Sequence, residues 1–246
     1  MIRTTLAVVY LALGILLVMP WLILWSLLTG SADFMYRATM KVVASSVRLA
    51  GVHVRVEGTE NIPAGVCIFA ANHVSNVDPL AFVPMIPRRV GLLVKSELFR
   101  VPILSKAMRM AHFVPVQREN REAAAASVET ALQYLKEGLS FAVYPEGTRS
   151  RDGRMQPFKK GTFLMAVRAK VPVVPVSIVG AQDLMRPGEW AVRPGEVAIR
   201  FGPAVDASAY TLEQRANLLA RVEELVAAGL PEEQKPRKEA GDKVAE

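Results

Sequence analysis

A chain of 246 residues is long enough for one sizeable domain with its own core, but not for two. The formal net charge of +7 indicates acidic partners. A hydrophobic fraction of 51% favours a membrane surface over nucleic acid as that partner. Cys67 is the only cysteine, which excludes an internal disulfide, and its place in an apolar run predicts a small core residue rather than a reactive thiol.

The chain begins with a long uncharged segment, from Thr4 to Thr29. As one helix it would be about 39 Å long, more than the roughly 30 Å that a hydrocarbon core requires. The segment is too long for the apolar part of a signal peptide and has no clear cleavage site, so we expect it to be retained in or on a membrane. Pro20 interrupts the segment, and Trp21 and Trp25 favour the membrane interface.

A second helical segment, residues 34–49, has a loosely amphipathic pattern. Either it lies along anionic headgroups or it packs on the globular domain. Arg3 precedes the apolar stretch whereas Arg37, Lys41 and Arg48 follow it, which favours a cytosolic position for the main domain. The sequence is therefore divided into a membrane-anchoring helical segment at 1–50, a globular domain at 51–230 and a disordered charged tail at 231–246.

Strand-like and helix-like segments alternate beyond Gly51. Short apolar or alternating runs predict strands at 53–57, 66–70, 91–94, 113–116, 141–144, 173–179 and 196–201. Helical patterns occupy 95–110, 121–136 and 158–170, with Asn120 as the cap of the second and Pro157 as the start of the third. This alternation predicts an α/β fold with a mostly parallel or mixed sheet flanked by helices, and with functional loops at the strand ends.

The last predicted helix is opened by a capping box, Thr211 and Gln214. Its predicted apolar face is formed by Leu212, Leu219, Val222 and Val226. From Pro231 onward the charged tail has little apolar surface to bury, which is why disorder is expected there.

The most informative stretch is 70–79, which places His73 five residues before Asp78. Side chains at i and i+5 point to different sides of a regular helix or strand, so these two meet only if the chain turns between them. The flanks predict such a turn, since 66–70 is strand-like and Asp78-Pro79 suits the N-cap and first position of a helix. A histidine held by a carboxylate can act as a general base near neutral pH. The alternative is that Asp78 is only a helix cap and His73 an ordinary loop residue.

Four segments together resemble a known family. The spacing His73-x4-Asp78 resembles the first motif of the glycerolipid acyltransferases. Residues 113–118 are similar to their second motif, 144–150 to the third and 171–176 to the fourth, in the same order along the chain. Tyr144 departs from the pattern, because phenylalanine usually precedes the proline of the third motif. The resemblance covers about residues 50–205 and implies that 51–230 is an acyltransferase domain. In that family an N-terminal helical pair can dip into one leaflet, which leaves a full span and a one-leaflet hairpin both open.

The resemblance implies acyl transfer from a thioester to the free 2-hydroxyl of lysophosphatidic acid, which gives phosphatidic acid. His73 is then the general base and Asp78 orients it. No covalent intermediate is needed, since no serine or cysteine is placed as a nucleophile. The acceptor carries a phosphate, which arginine forks bind well, so Arg118 and Arg149 are the candidate phosphate ligands. Lys95 resembles another family position near the phosphate, unless it is only a solvated lysine at a helix start.

The loop that precedes Arg149 is also assigned to the substrate. Gly147 allows close approach of the backbone, and the hydroxyl of Thr148 can donate a hydrogen bond. Glu146 cannot favour a phosphate directly because both are anionic, so it is expected to orient an arginine or to bind a glycerol hydroxyl. The plain alternative is a surface pair of Glu146 and Arg149 beside a turn.

The expected partners are lysophosphatidic acid, membrane lipids, and an acyl donor carried on coenzyme A or on acyl carrier protein. No cofactor, metal or nucleic acid is expected, and His112 lacks a nearby second metal ligand. The active domain is expected on the cytoplasmic face of the inner membrane. The open alternatives are another acceptor, such as glycerol 3-phosphate, another lysophospholipid or a lyso-ornithine lipid, and a thioesterase in which water replaces the lipid hydroxyl.

Overall fold

The structure, a computed structural model, describes residues 1–117, 119–186 and 188–237, and these form a seven-stranded sheet with helices on both faces. The strands are β1 (Val52–Glu57), β2 (Ile68–Ala71), β3 (Val90–Lys95), β4 (Val114–Val116), β5 (Ser140–Val143), β6 (Val173–Val179) and β7 (Gly195–Phe201). The α-helices are α1 (Ile2–Leu13), α2 (Met19–Thr29), α3 (Asp33–Leu49), α4 (Val77–Phe82), α5 (Pro102–Met110), α6 (Arg121–Lys136), α7 (Gly161–Ala169), α8 (Ala181–Leu184) and α9 (Arg215–Ala228).

Most of the sheet is parallel. The strand order is β1-β7-β6-β2-β5-β3-β4, and the five strands from β6 to β4 all run in the same direction. At the other edge, β7 is antiparallel to β6 and parallel to β1. The predicted α/β class with a mostly parallel, mixed sheet is confirmed. Because five neighbouring strands are parallel, the loops that follow them meet at one edge, called here the carboxyl edge of the sheet.

The core lies on both faces of the sheet. Along β2, Phe69 and Ala71 face the core under α3, α4 and α8, whereas Ile68 and Ala70 face the core under α6, α7 and α9. All four side chains are fully buried, which explains why a parallel strand is continuously apolar in sequence. Cys67 is also fully buried and burial raises the pKa of its thiol to about 11, so the prediction of an unreactive core cysteine is confirmed.

The uncharged N-terminal segment forms one long helix of 28 residues, Ile2–Thr29, which comprises α1, a π-helical stretch at Gly14–Val18 and α2. The ring of Pro20 would clash with the carbonyl four residues earlier, and the wider π turns just before it relieve that conflict. Pro20 therefore widens the helix instead of ending it. By length and composition the helix is able to cross a membrane, with a mean hydropathy of 2.5. Only 11% of its most apolar 18-residue stretch is buried.

α3 packs on the sheet, which is the second of the two arrangements considered for residues 34–49. Tyr36, Val47 and Ala50 belong to the core under this helix. On its other side α3 supports the long N-terminal helix, where Met35 packs with Met19. α3 is therefore part of the globular unit, and the long helix packs on its outer side.

The start of the long helix is fastened to the globular unit by Thr4, which forms hydrogen bonds, and by Ala7, which is buried in the core. The hydroxyl of Thr4 donates to the carbonyl of Val192 at 3.2 Å and accepts from the N–H of Val192 at 3.0 Å. At the middle of the long helix, Met19 and Ala107 of α5 pack in one small cluster. Both halves of the long helix thus lie against the domain.

The helix predicted at 95–110 begins later than expected. Lys95 is the last residue of β3, a short 3₁₀ helix follows, and α5 begins only at Pro102. A proline suits the first turn of a helix, where its missing N–H is not needed, and it favours the extended backbone seen at Val101 (φ −84°, ψ 112°). Lys95 therefore extends from a strand end and not from a helix.

The helix predicted at 158–170 also begins later. α7 starts at Gly161, and Pro157 stays in the preceding loop. The N–H of Phe158 instead donates to Glu223 Oε1 at 2.9 Å. The helix predicted at 121–136 is confirmed as α6, and its cap is formed by Asn120, whose Oδ1 accepts from the N–H of Ala123 at 3.0 Å.

The two hydrogen bonds of the predicted capping box are present, because Gln214 Oε1 accepts from the N–H of Thr211 at 3.1 Å and Thr211 Oγ1 accepts from the N–H of Gln214 at 3.4 Å. They close the turn before the helix, since α9 begins only at Arg215 and its N-cap is Gln214. The predicted apolar face is wrong at Leu212, which precedes the helix and is exposed. The fully buried residues of α9 are Leu218, Val222 and Val226.

The expected disorder does not hold for the first part of the charged tail. Gln234 is buried, and its carbonyl accepts from the N–H of Met155 at 2.8 Å. Arg154 donates to the carbonyl of Lys235 at 3.1 Å. Residues 231–237 therefore pack through backbone hydrogen bonds, which need little apolar surface. The rest of the predicted tail, 238–246, lies outside the described residues.

Candidate active site

The loop after β2 brings the predicted histidine and carboxylate into contact. His73 Nδ1 lies 2.8 Å from Asp78 Oδ2. The same carboxylate oxygen accepts the N–H groups of Val74 and Ser75, at 2.7 Å and 2.8 Å, so the loop wraps around it. α4 begins at Val77, which places Asp78 inside its first turn and not at the N-cap as expected. Asp78 therefore holds the turn and the imidazole together.

This geometry selects the form of histidine that acts as a base. A carboxylate at Nδ1 favours the tautomer with its proton on that nitrogen, which leaves the lone pair on Nε2 for a substrate proton. The Asp78 side chain is completely buried, whereas 10% of the His73 side chain is exposed. The imidazole can thus be reached from one side while its partner is shielded from water.

Three further contacts fix the backbone of this loop. Asn72 exchanges two hydrogen bonds with the backbone of Ile178 in β6, at 3.0 Å and 2.7 Å. The carbonyl of His73 accepts from the N–H of Ser150 at 2.8 Å. The N–H of His73 donates to Glu146 Oε1 at 2.7 Å. Strand β6 and the loop after β5 therefore hold the His73 loop in place at the carboxyl edge.

Tyr144 packs directly on the imidazole. Its ring is stacked on that of His73, with centroids 4.2 Å apart and planes inclined by 23°. The hydroxyl of Tyr144 is buried without a hydrogen-bond partner among the described residues, and so is Asp78 Oδ1. Burial, and to a lesser extent the charge of Asp78, holds the pKa of Tyr144 well above its usual value, so the phenol stays neutral. The sequence identified Tyr144 only as a departure from the third motif and assigned it no role.

Glu146 is placed differently from its expected role. It is buried, and its two carboxylate oxygens accept the N–H groups of His73 (2.7 Å) and Gln156 (3.2 Å). Burial raises its pKa to about 8, against the lowering effect of these two donors. Both carboxylate oxygens thus already have hydrogen-bond donors, without an arginine or a glycerol hydroxyl. Glu146 is thus a positioning residue that ties the His73 loop to the segment before α7.

The rest of the third motif forms an open loop. Gly147 has a φ of 75°, which favours glycine, and a Cβ at this position would lie 2.7 Å from Lys159 Nζ. Thr148 is exposed. Arg149 is half-buried, and its Nη1 is buried without a partner among the described residues. A buried guanidinium N–H requires an acceptor, so this loop offers a site for an anionic oxygen.

The remaining predicted substrate ligands lie at or beyond the carboxyl edge. Lys95 ends β3, which is separated from β2 only by β5, so its backbone is about 10 Å across the sheet from β2. Its side chain is exposed and pairs with Glu97 at 2.9 Å. Arg118 lies outside the described residues, although β4, which precedes it, ends at the same edge.

An apolar cavity of about 150 Å³ lies beside the loop that carries His73, between α1, α3 and α4. Its walls include Ala7, Ala50 and Leu80, together with Asn76 at the end of this loop and Val77 at the start of α4. The sequence did not predict this cavity, because its walls come from segments far apart in the chain. The fourth motif, which was expected to shape an acyl channel or the core, lies in β6, and Val173, Val174 and Val176 are fully buried in the core.

Among the described residues, no group of three or more histidine, cysteine, aspartate or glutamate side chains is placed to hold a metal ion. His112 adopts a φ of 61° and packs edge-on against Tyr134. Burial is the main cause that lowers its pKa.

Comparison with known proteins identifies the class of this fold and site. The sequence profile of the family described as Acyltransferase matches residues 53–179, more than half of the chain. A crystal structure of the 1-acyl-sn-glycerophosphate (LPA) acyltransferase PlsC from Thermotoga maritima shares 30% identity and covers 93% of this chain and 95% of that one, with a TM-score of 0.77. The chain therefore belongs to the acyltransferase family, and the enzyme class expected from the motifs is confirmed.

Individual relatives agree with this assignment. A 1-acyl-sn-glycerol-3-phosphate acyltransferase from Limnanthes douglasii is 30% identical over 187 residues, which are 76% of this chain and 66% of the relative. Another protein of that name, from Borreliella burgdorferi, is 33% identical over 150 residues, which are 61% of this chain and 59% of the relative. The chain thus spans slightly less than two thirds of the length of these relatives.

Proposed function

We propose that this protein transfers an acyl group from a thioester to the 2-hydroxyl of 1-acylglycerol 3-phosphate, giving phosphatidic acid. The observation that carries the proposal is the contact of His73 Nδ1 with the buried Asp78, which leaves Nε2 as the base. The names of the relatives support this acceptor. Coenzyme A or acyl carrier protein carries the acyl group.

The reaction proceeds in one displacement. His73 Nε2 removes the proton of the acceptor hydroxyl as the oxygen attacks the thioester carbonyl. A tetrahedral centre forms, the carbon–sulfur bond breaks, and the departing sulfur receives the proton from His73. The negative charge on Asp78 stabilises the imidazolium that exists between these two proton transfers. The protein itself is never acylated.

The phosphate of the acceptor binds at Arg149, whose buried Nη1 lacks a partner among the described residues. The backbone at Gly147, which can be approached closely, and the hydroxyl of Thr148 complete this site. Lys95 extends from the end of β3, the strand next to β5, and is a further candidate ligand. The sequence motif adds Arg118 as another candidate. The acyl chains extend toward the apolar cavity beside α1, which places the reaction at the level of the lipid headgroups.

The long helix anchors the enzyme in the cytoplasmic leaflet of the inner membrane. Its exposed apolar side chains include Leu16, Leu17, Trp21, Trp25 and Leu28. These residues belong in lipid, where their area is removed from water. The basic residues of α3 support a cytoplasmic position for the domain.

Replacing His73 tests the proposed base. We expect His73→Ala to lower kcat by about a thousandfold, the size of a general base contribution, while the protein still binds lysophosphatidic acid. Asp78→Asn should retain part of the activity, since the turn survives but control of the tautomer does not. The measurements are turnover and acceptor affinity of folded variants, with His53→Ala, an exposed strand residue, as control. An activity of His73→Ala within tenfold of the parent contradicts the dyad; release of free fatty acid in place of an ester indicates a thioesterase.

Replacing Arg149 tests the phosphate site. We expect Arg149→Ala to raise the KM for lysophosphatidic acid by about ten- to a hundredfold, as for a charged hydrogen-bonded contact, and to affect an uncharged monoacylglycerol acceptor much less. Arg151→Ala removes the same charge from an exposed neighbouring position and is the matched control. Equal losses on both acceptors would show that Arg149 serves the structure or the donor.

A further inference from the structure

A second basic site lies on the opposite side of the molecule from His73. A cleft of about 520 Å³ opens between the first half of α3 and residues 84–89. We call this cleft the α3 cleft. Its polar wall consists of Asp33, Arg37, Lys41, Arg88 and Arg89. Four cationic side chains thus face one carboxylate, which makes the cleft suited to an anion.

The α3 cleft is separate from the active site. Arg89 immediately precedes β3, and Arg88 donates to the carbonyls of Pro63, Ala64 and Gly65, which precede β2. The cleft therefore lies at the amino-terminal ends of the parallel strands, whereas His73 lies at their carboxyl ends. The six residues of β3 alone span about 20 Å. A phosphate bound in this cleft is not the phosphate of an acceptor whose hydroxyl is at His73.

Two of the cations have no partner among the described residues. Arg89 pairs with Asp33 at 3.1 Å, and Arg88 is occupied by the three carbonyls. Arg37 and Lys41 make neither an ion pair nor a side-chain hydrogen bond within the part of the chain that the structure describes. They are four residues apart on α3, so they project from the same face of the helix toward the cleft. Together they present a guanidinium fork and an ammonium to one ligand.

The surroundings of the cleft favour a lipid over a free anion. Phe34 precedes Arg37 by one helical turn, is 55% exposed, and contacts the exposed Trp25 with ring centroids 6.2 Å apart. These aromatic rings continue the apolar surface of the long helix. The cleft itself is also lined by Met40 and Ile86, which can contact glycerol or acyl carbons. Arginine and lysine next to membrane-facing aromatic residues lie at headgroup depth.

We propose that the α3 cleft binds the phosphate of an anionic glycerophospholipid from the bilayer, with Arg37 and Lys41 as its principal ligands. This lipid is distinct from the acceptor bound at Arg149. The proposal relies on the membrane anchoring stated under the proposed function, but it does not depend on the reaction, and its test measures binding.

The test counts the lipids retained by the full-length protein in neutral detergent, by native mass spectrometry. Phosphatidylglycerol and phosphatidylcholine with identical acyl chains are supplied in equal amounts. All proteins carry Arg149→Gln, so that an anionic lipid at the active site does not contribute. One variant adds Arg37→Gln and Lys41→Gln; the matched control adds Arg48→Gln and Lys136→Gln, which remove the same charges at exposed positions outside the cleft.

We expect preferential retention of phosphatidylglycerol, weakened about tenfold by the cleft variant and less than about twofold by the control, as for loss of charged contacts at one site. Equal weakening by both variants, or equal retention of the two lipids, overturns the site. Millimolar inorganic phosphate should leave the lipid bound. Complete displacement by inorganic phosphate overturns the assignment to a lipid and indicates a site for free phosphate. Thermal unfolding of each variant establishes that it is folded.

Discussion

Tyr144 has two separable effects, one on the orientation of His73 and one on stability, and both can be tested at the level of one side chain. Its ring stacks on the imidazole, while its hydroxyl is buried without a partner among the described residues. We expect Tyr144→Phe to keep the stack and to raise the free energy of unfolding by about 1 kcal/mol, because an unpaired buried hydroxyl is removed. Its kcat should stay within about threefold of the parent, since the base and its carboxylate are unchanged.

Tyr144→Leu is the matched variant, since it removes the ring as well. We expect its kcat to fall more than about tenfold with little change in acceptor KM, because an unsupported imidazole leaves its productive orientation. Turnover and thermal unfolding of both variants provide the measurement. If Tyr144→Phe loses as much activity as Tyr144→Leu, the hydroxyl has a direct role in the reaction and the stacking argument fails.

Glu146 gives the protein a pH-dependent stability. Burial raises its folded-state pKa to about 8, whereas an unperturbed glutamate has a value of 4.5. Between pH 4.5 and about pH 8, the folded chain binds a proton at Glu146 that the unfolded chain does not. The free energy of unfolding therefore falls as the pH rises through this range. The stability that the raised pKa of Glu146 contributes is fully present below pH 4.5 and is lost above about pH 8.

Glu146→Gln should remove this pH dependence. An amide cannot accept hydrogen bonds through both of its terminal atoms, so we expect the variant to be less stable at acidic pH but to have a flatter profile of Tm against pH. Glu60→Gln, at an exposed position, should retain the slope of the parent. The measurement is Tm at several values between about pH 5 and pH 9. A Tm slope that is unchanged in Glu146→Gln refutes the assignment of this titration.

At the level of single residues, the sequence predicted contacts within one loop better than contacts between loops. His73 and Asp78 are only five residues apart, and the strand-like and helix-starting segments that flank them predicted the turn that brings them together. Glu146 contacts His73 across 73 residues of sequence. The third motif does not indicate that Glu146 is buried, so the sequence assigned this residue to the substrate. In the structure Glu146 accepts backbone N–H groups of His73 and Gln156. Arg149 was predicted as an anion ligand from its chemistry, and its buried unpartnered Nη1 agrees with that role.

At the level of elements, the long N-terminal helix is the one whose position matters most. Its 28 residues are about 42 Å long, enough to span a bilayer. However, Thr4 is hydrogen-bonded to Val192, and Met19 packs with Met35 of α3. A helix that is fastened to the domain at its start and at its middle cannot place that start across the membrane. We therefore expect it to lie within one leaflet.

Accessibility of both ends of this helix tests the expectation. Single cysteines at Ile2 and Ser31 should both react with an impermeant maleimide added outside sealed vesicles whose globular domain faces outward. Cys67 is fully buried and should react only after unfolding, so it provides an internal control. Labelling of the Ile2→Cys variant only after the vesicles are permeabilised would establish a full span and a broken contact between Thr4 and Val192.

The interiors of the elements were predictable from local patterns, while several of their starts were not. α6 was correct because Asn120 caps it through a contact three residues away. α5 and α7 begin at Pro102 and Gly161, later than their helical patterns predict. Before α5, Pro102 keeps the backbone of Val101 extended. Before α7, the N–H of Phe158 donates to Glu223. Helical periodicity continues through such segments, but hydrogen bonding decides where the helix begins.

For the whole molecule, the sequence predicted the fold class but not the arrangement of strands. Each predicted strand corresponds to an observed one, and their alternation with helices was sufficient for an α/β fold. Nothing in the local pattern indicated that β1 pairs with β7, where Val52 lies opposite Gly195, or that this pair runs against β6. Strand pairing over such separations depends on which surfaces fit, and a single sequence does not display that fit.

The pairing of β1 with β7 also determines when the protein can be complete. Chains are synthesised from the N terminus, so the apolar helix and β1 leave the ribosome long before β7 exists. During that interval the helix can already enter the bilayer, while β1 presents an unpaired edge that would promote aggregation in free solution. The sheet closes only after residue 201, by a long-range contact of the slow-forming kind. Membrane anchoring of the helix, as proposed above, would keep each nascent chain apart from its neighbours until β7 has been synthesised.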